Sequence, residues 1–236
     1  MICEDSMTIH GFQKMTLLDF PGKVACIVFT AGCNLRCPFC HNAPLVTRTD
    51  PADRIDEDEV FAYLKKRQGI VDGVVITGGE PTLQKDLDDF IRRVRALGYA
   101  VKLDTNGTRP DVLAALLDEG LVDYVAMDIK NCPDRYAETV GIEGFDLAPV
   151  RRSIELLRQS GVEYEFRTTV ADELHTPQDI GVLAAWIAHA PRYFIQPFVD
   201  SGDLVGTGLH APSAEKLDEM RASAMVHLPN TAIRGA

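Results

Sequence analysis

The sequence predicts an α/β fold, a partial (β/α)6 TIM-like open barrel of mostly parallel strands. Short β-branched runs alternate six times with amphipathic helical stretches, which calls for parallel strands joined by crossover helices. Six such units are too few for a complete closed barrel. Nearly every strand candidate also ends in polar residues, and in parallel sheets ligands bind beyond that end of the strands.

The strand candidates are VACIVFT (24–30), VVIT (74–77), AVKLD (100–104), DYVAMDIK (123–130), YEFRTTV (164–170) and YFIQPF (193–198). TAIRG (231–235) follows as an edge strand. The clearest helix covers about 84 to 97, with Leu87, Phe90, Ile91, Val94 and Leu97 on one stripe and Gly98 as its cap. DEDEVFAYLKKRQG carries acids in its first turn and bases in its last, as the helix dipole favours. PDVLAALLDEG opens with proline and closes on glycine. PVRRSIELLRQSG, TPQDIGVLAAWIAHA and residues 213 to 226 complete the helices. With no linker or repeat, residues 1 to 236 read as a single domain with its core at about 8 to 200.

The 236 residues suffice for one large core, and 46% of them are hydrophobic. A formal net charge of -11 argues against nucleic acid or anionic membrane as partner, since both require a basic patch. The first residues have no basic and apolar signal pattern, and no apolar run reaches the length of a membrane span. A cytoplasmic location is therefore expected, with Met7 as an alternative start to Met1. Six cysteines in a reducing compartment are thiols or metal ligands rather than disulfides. Cys3, Cys26 and Cys132 are scattered and read as buried thiols.

The other three stand close together in TAGCNLRCPFCHN: Cys33, Cys37 and Cys40, spaced C-x3-C-x2-C. A structural zinc site is closed by a fourth ligand. His41 directly follows Cys40, a poor position from which to close the same tetrahedron, so zinc would have to borrow that ligand. An iron–sulfur cube held by three thiolates would instead keep one iron open for chemistry. Polar residues at the other strand ends converge on the same mouth: Gly78, Gly79 and Glu80 in TGGEP, Asp104 to Gly107 in DTNG, Asp128 and Lys130 in MDIK, then Arg167, Thr168, Thr169 and Gln196. Taken singly, each of these motifs is also a common turn or cap.

The cysteine spacing followed by GGEP after the next strand resembles the radical S-adenosylmethionine (SAM) superfamily. The stretches DFPGKVACIVFTAGCNLRCPFCHN, GVVITGGEPTLQKDL, VKLDTNG, YVAMDIK and EFRTTV are similar to the activating enzymes of glycyl-radical enzymes, most of all those of anaerobic ribonucleoside-triphosphate reductase. The likeness covers about residues 8 to 200. It implies a [4Fe-4S] cluster on Cys33, Cys37 and Cys40, with SAM chelating the open iron. Gly78 and Gly79 would give close approach to the ligand, and Glu80 would accept from the SAM ammonium. Phe39 and His41 would lie at the adenine, with Phe39 alternatively a core residue. Asp104, Thr105 and Asn106 would meet the ribose or a cation beside it, a monovalent ion near Asp104 and Asp128. Asp128 and Lys130 would flank the sulfonium and carboxylate end. Arg167, a charge within an apolar strand, requires a partner, either the SAM carboxylate or Asp128.

The resemblance further implies that an electron from a flavodoxin- or ferredoxin-type donor cleaves SAM to a 5′-deoxyadenosyl radical. That radical would take hydrogen from a glycine Cα in a partner enzyme. Two departures separate the chain from pyruvate formate-lyase activases: Val199 stands where that group has a histidine, and Phe20 where it commonly has glycine. Other readings are a pyruvate formate-lyase-type activase, a small-molecule radical SAM enzyme such as a 7-carboxy-7-deazaguanine synthase, and a zinc-binding interaction protein.

Overall fold

The computed structural model describes residues 7–47, 50–200 and 202–235; Cys3 and the Met1 start lie outside them. Eight strands form one sheet in chain order: β1 (Ile9–Thr16), β2 (Ala25–Thr30), β3 (Gly73–Gly78), β4 (Ala100–Thr105), β5 (Tyr124–Asp128), β6 (Glu163–Val170), β7 (Tyr193–Pro197) and β8 (Thr231–Ile233). From β2 to β8 every pairing is parallel. β1 pairs antiparallel with β2, and its register slips twice. Among the described residues β8 does not pair with β1, so the sheet is open, as a partial barrel must be. The expected edge strand at the C-terminal end thus joins the six predicted ones as a seventh parallel strand.

The helices are α1 (Ala43–Thr47), α2 (Glu57–Lys66), α3 (Leu87–Ala96), α4 (Pro110–Asp118), α5 (Tyr136–Val140), α6 (Ala148–Gln159), α7 (Pro177–Trp186) and α8 (Ala214–Met225); all but the short α1 and α5 follow the predicted rhythm. α3 begins three residues later than expected, because Pro81–Leu83 take a 3-10 turn capped by the Glu80 side chain and Asp86 becomes the helix cap. Its C-terminal end is as expected, with Gly98 at φ +89.

Strand alternation divides the core. Val28, Val74, Ile76, Val101, Leu103, Val125, Met127, Phe166, Tyr193 and Ile195 belong to a large cluster shared with the helices. The opposite face carries a small plug of Phe20, Ala25, Ile27, Val75, Tyr124 and Ala126. Phe20 fits because residue 73 is glycine: a Cβ there would lie 2.8 Å from its ring. Cys26 and Cys132 are both buried, as expected of core thiols.

Candidate functional site

Beyond the plug, the same face of the strands turns polar. Thr77, Asp104, Asp128, Arg167, Thr169 and Gln196 alternate with the residues facing the helices and line a cavity of about 470 Å³. Cys33, Cys37, Phe39, Cys40, His41, Gly78, Gly79, Glu80, Thr105, Asn106 and Lys130 line it as well. The candidate residues singled out from the sequence border this one space except Gly107 and Thr168; Thr168 alternates onto the other face of β6, where its hydroxyl donates to Ile129 O at 2.7 Å. The cavity volume lies in the range of small-ligand sites, roughly 300–1,000 Å³.

The cysteine loop is held from several directions. Gly32 N–H donates to Leu45 O at 2.8 Å, Arg36 N–H to Val140 O at 2.9 Å, and Gly206 N–H to Pro38 O at 2.9 Å. Asn42 Nδ2 donates to Gly78 O at 3.1 Å. The glycines of TGGEP answer first to this loop. A Cβ on Gly79 would sit 2.0 Å from Gly32 O, and Gly78, at φ +118, would press one 2.4 Å from Thr30 N. Burial pushes the Cys37 thiol up to about 12, against the pull of Lys130. Burial also raises Cys33, with the Leu35 N–H opposing. In the absence of metal both thiols stay protonated, and metal binding would release those protons.

Opposite the cysteines lies an ion network. Arg167 Nε donates to Asp128 Oδ1 at 2.9 Å and Nη1 to Asp104 Oδ2 at 3.1 Å. Lys130 Nζ reaches Asp128 Oδ2 at 3.1 Å, and Lys102 Nζ pairs with Asp104. Burial raises both carboxyls, but Arg167 together with Lys130 at Asp128 and with Lys102 at Asp104 outweighs it. Asp128 falls to about 2, and Asp104 lies below its ordinary value. Of these cations Arg167 and Lys130 line the cavity and suit a ligand carboxylate. Both carboxylates are already paired within the protein, which leaves a monovalent cation beside them little to neutralise.

Glu80 is 1% exposed. Its Oε1 accepts from Thr105 Oγ1 at 2.7 Å and Thr82 N–H at 3.1 Å, its Oε2 from Asn106 N–H at 2.7 Å. It staples the end of β3 to the end of β4. His41 stacks on Phe198 with centroids 5.7 Å apart. Phe39 is buried in the large core cluster while bordering the cavity.

Sequence reasoning passed over His175. It is fully buried: Nε2–H donates to Lys130 O at 2.9 Å, Nδ1 accepts from Ala171 N–H at 3.1 Å, and the ring meets Phe39 edge-on. Also missed was a second layer beneath Arg167, where buried Glu165 takes a two-pronged contact from Arg234 at 2.7 and 3.0 Å and a hydroxyl from Tyr124 at 2.7 Å. The signal was present, since Glu165, Arg167 and Thr169 alternate onto one face of β6.

The model of the Radical SAM superfamily matches residues 27–187, from β2 through α7. The chain belongs to the radical SAM superfamily. A Methanocaldococcus jannaschii protein provisionally named a glycyl-radical enzyme activating enzyme is 32% identical over 96% of this chain and 95% of its own length. The pyruvate formate-lyase-activating enzyme of Listeria monocytogenes is 34% identical, over 52% of each chain. A 7-carboxy-7-deazaguanine synthase from Hyperthermus butylicus is 31% identical over 75% of this chain and 70% of its own. In fold, the chain is similar to a radical SAM methyltransferase from Sphaerobacter thermophilus, at a TM-score of 0.68 and 16% identity over 91% of this chain and 67% of that one. A domain of a pyruvate formate-lyase-activating enzyme from Bacteroides vulgatus gives 0.55 and 20%, over 70% of this chain and 99% of that one. At the level of family, this is a radical SAM enzyme of the type that activates glycyl-radical enzymes. The superfamily brings an iron–sulfur cluster and SAM. No helix among the described residues is long and apolar enough to cross a membrane.

Proposed function

We propose that this chain installs the glycyl radical of an anaerobic ribonucleoside-triphosphate reductase, holding a [4Fe-4S] cluster through Cys33, Cys37 and Cys40 and SAM in the adjoining cavity. The observation that carries this reading is the meeting of three free cysteines with four strand-end motifs on one space. The donor chemistry fits the cluster. Three thiols on one loop border the cavity, the soft donor set that an iron–sulfur cluster takes. When bound, the cluster supplies the electron that splits the sulfonium carbon–sulfur bond and frees the 5′-deoxyadenosyl radical.

The chain's own residues bind and shield. Lys130 and Arg167, which line the cavity, favour the SAM carboxylate. Oε2 of Glu80, which among the described residues accepts only the Asn106 N–H, keeps a lone pair for the SAM ammonium, and the rings of His41 and Phe39 border the space the adenine would take. Thr169 and Gln196 line the opposite wall. Val199 also borders the cavity, without the ring nitrogen of the pyruvate formate-lyase group, and this supports the reductase as partner. The open side of the sheet suits a polypeptide substrate. Free thiols and the need for a low-potential flavodoxin- or ferredoxin-type donor suit a cytoplasmic setting.

Anaerobically purified protein, incubated with SAM, reductant and a candidate reductase, should give 5′-deoxyadenosine and the doublet of a backbone glycyl radical on the reductase. A radical only on pyruvate formate-lyase would reassign the partner. Conversion of a small molecule with no protein radical would favour the synthase. Zinc without iron or sulfide would sink the enzyme reading.

A further inference from the structure

Among the described residues, Cys33 is the one cysteine of the three whose sulfur has a side-chain donor directed at it. Asn106 Nδ2 lies 3.9 Å from Cys33 Sγ and 3.0 Å from Asn34 Oδ1. Asn106 Oδ1 accepts from Thr108 N–H at 3.0 Å and from its hydroxyl at 2.7 Å. Asn34 Nδ2 donates to that same hydroxyl at 2.8 Å. The three side chains thus close a ring, Asn34 to Thr108 to Asn106 and back to Asn34. A backbone N–H can only donate, so the amide oxygen of Asn106 must face Thr108 and its NH2 must face Asn34 and the sulfur. The backbone is fixed too, by the Asn106 N–H bond to Glu80. One amide hydrogen serves Asn34 and the other points along Cys33, which leaves the amide little to offer a ribose or a cation. Leu35 N–H adds a second donor to the sulfur at 3.4 Å.

Resting on the proposed cluster site, we infer that the Asn34–Thr108–Asn106 ring is a positioning device that directs an N–H onto the Cys33 sulfur and raises the reduction potential of the cluster bound there. A donor beside a ligating sulfur favours the state with more negative charge, here the reduced one. Cooperative closure of the ring keeps the donor in place where an isolated amide would rotate away.

The test is a redox titration of the cluster-loaded protein, read by the electron paramagnetic resonance of the reduced cluster, for wild type, Asn106→Ala, Thr108→Val and Thr108→Ser. Thr108→Val keeps the shape and the backbone N–H on Asn106 Oδ1, touches no sulfur and removes the hydroxyl that closes the ring. At a fixed poise, Asn106→Ala should lower the reduced-to-oxidised ratio about threefold, which is about 30 mV for a one-electron couple. Thr108→Val should move it the same way by less, while Thr108→Ser stays at the wild-type potential. Loaded Asn106→Ala and Thr108→Val proteins that titrate with wild type would overturn the inference and leave the cluster reading standing. A wild-type protein that takes up no iron–sulfur cluster would remove that reading itself.

Discussion

Arg167 shows how a single side chain sets the character of the cavity. It is mostly buried and holds two carboxylates at once. Arg167→Met leaves Asp104 to Lys102 and Asp128 to Lys130, and should lower the unfolding free energy of the metal-free protein by about 1.5–3 kcal/mol, read from urea melts. Asp128 lies near 2 against an ordinary 3.8. A depressed carboxyl adds stability above its unfolded value, and that stability disappears as pH falls through the folded one. Wild-type stability should therefore drop between about pH 4 and 2, and Arg167→Met should flatten that limb; an unchanged acid slope in the variant would contradict the pairing. The cysteines give a sharper contrast. Replacing Cys33, Cys37 or Cys40 by Ala should end 5′-deoxyadenosine formation under dithionite, while Cys132→Ser, whose thiol faces Asp179 outside the cavity, should keep its iron. Iron loss from Cys132→Ser would make that residue a ligand. The sequence pointed to the cysteines because their spacing is local. It hid His175, an isolated loop histidine for which two of three contacts, Lys130 O and the Phe39 ring, come from distant segments of the chain.

Elements were legible where their pattern repeats. β2 to β7 read as strands because burial on both sides leaves β-branched runs. β1 did not: IHGFQKMT is buried only at its two ends, contains glycine and slips register twice against β2, so neither alternation nor a continuous apolar run marks it. The cysteine loop and the end of β3 behave as one unit, because Glu80 N–H donates to Gly32 O at 2.8 Å and Gly79 leaves no room for a side chain beside that oxygen. Gly79→Ala should displace the cysteine loop and reduce iron per chain after reconstitution, measured against wild type with circular dichroism unchanged. Full iron loading in Gly79→Ala would show that the loop yields elsewhere. The sequence placed these glycines at a ligand, while the nearer constraint is the protein's own backbone, a contact between segments more than forty positions apart.

For the molecule as a whole, ligand binding and stability are linked. If SAM occupies the cavity of the cluster-loaded protein, a concentration of about 100 times its Kd should add about 2.7 kcal/mol. For a chain of this length that is a rise in Tm of about 5–10 °C under argon. An unchanged Tm at that SAM concentration would show that the folded protein does not take up SAM. The two borders of the open sheet come from opposite ends of the chain, β1 with its irregular pairing and β8 with three registered residues on β7. A bulky protein guest that pries the seam wider would unzip only these outermost rungs. The six inner strands, which carry the ligating loop and the charged floor, would keep their spacing throughout the visit.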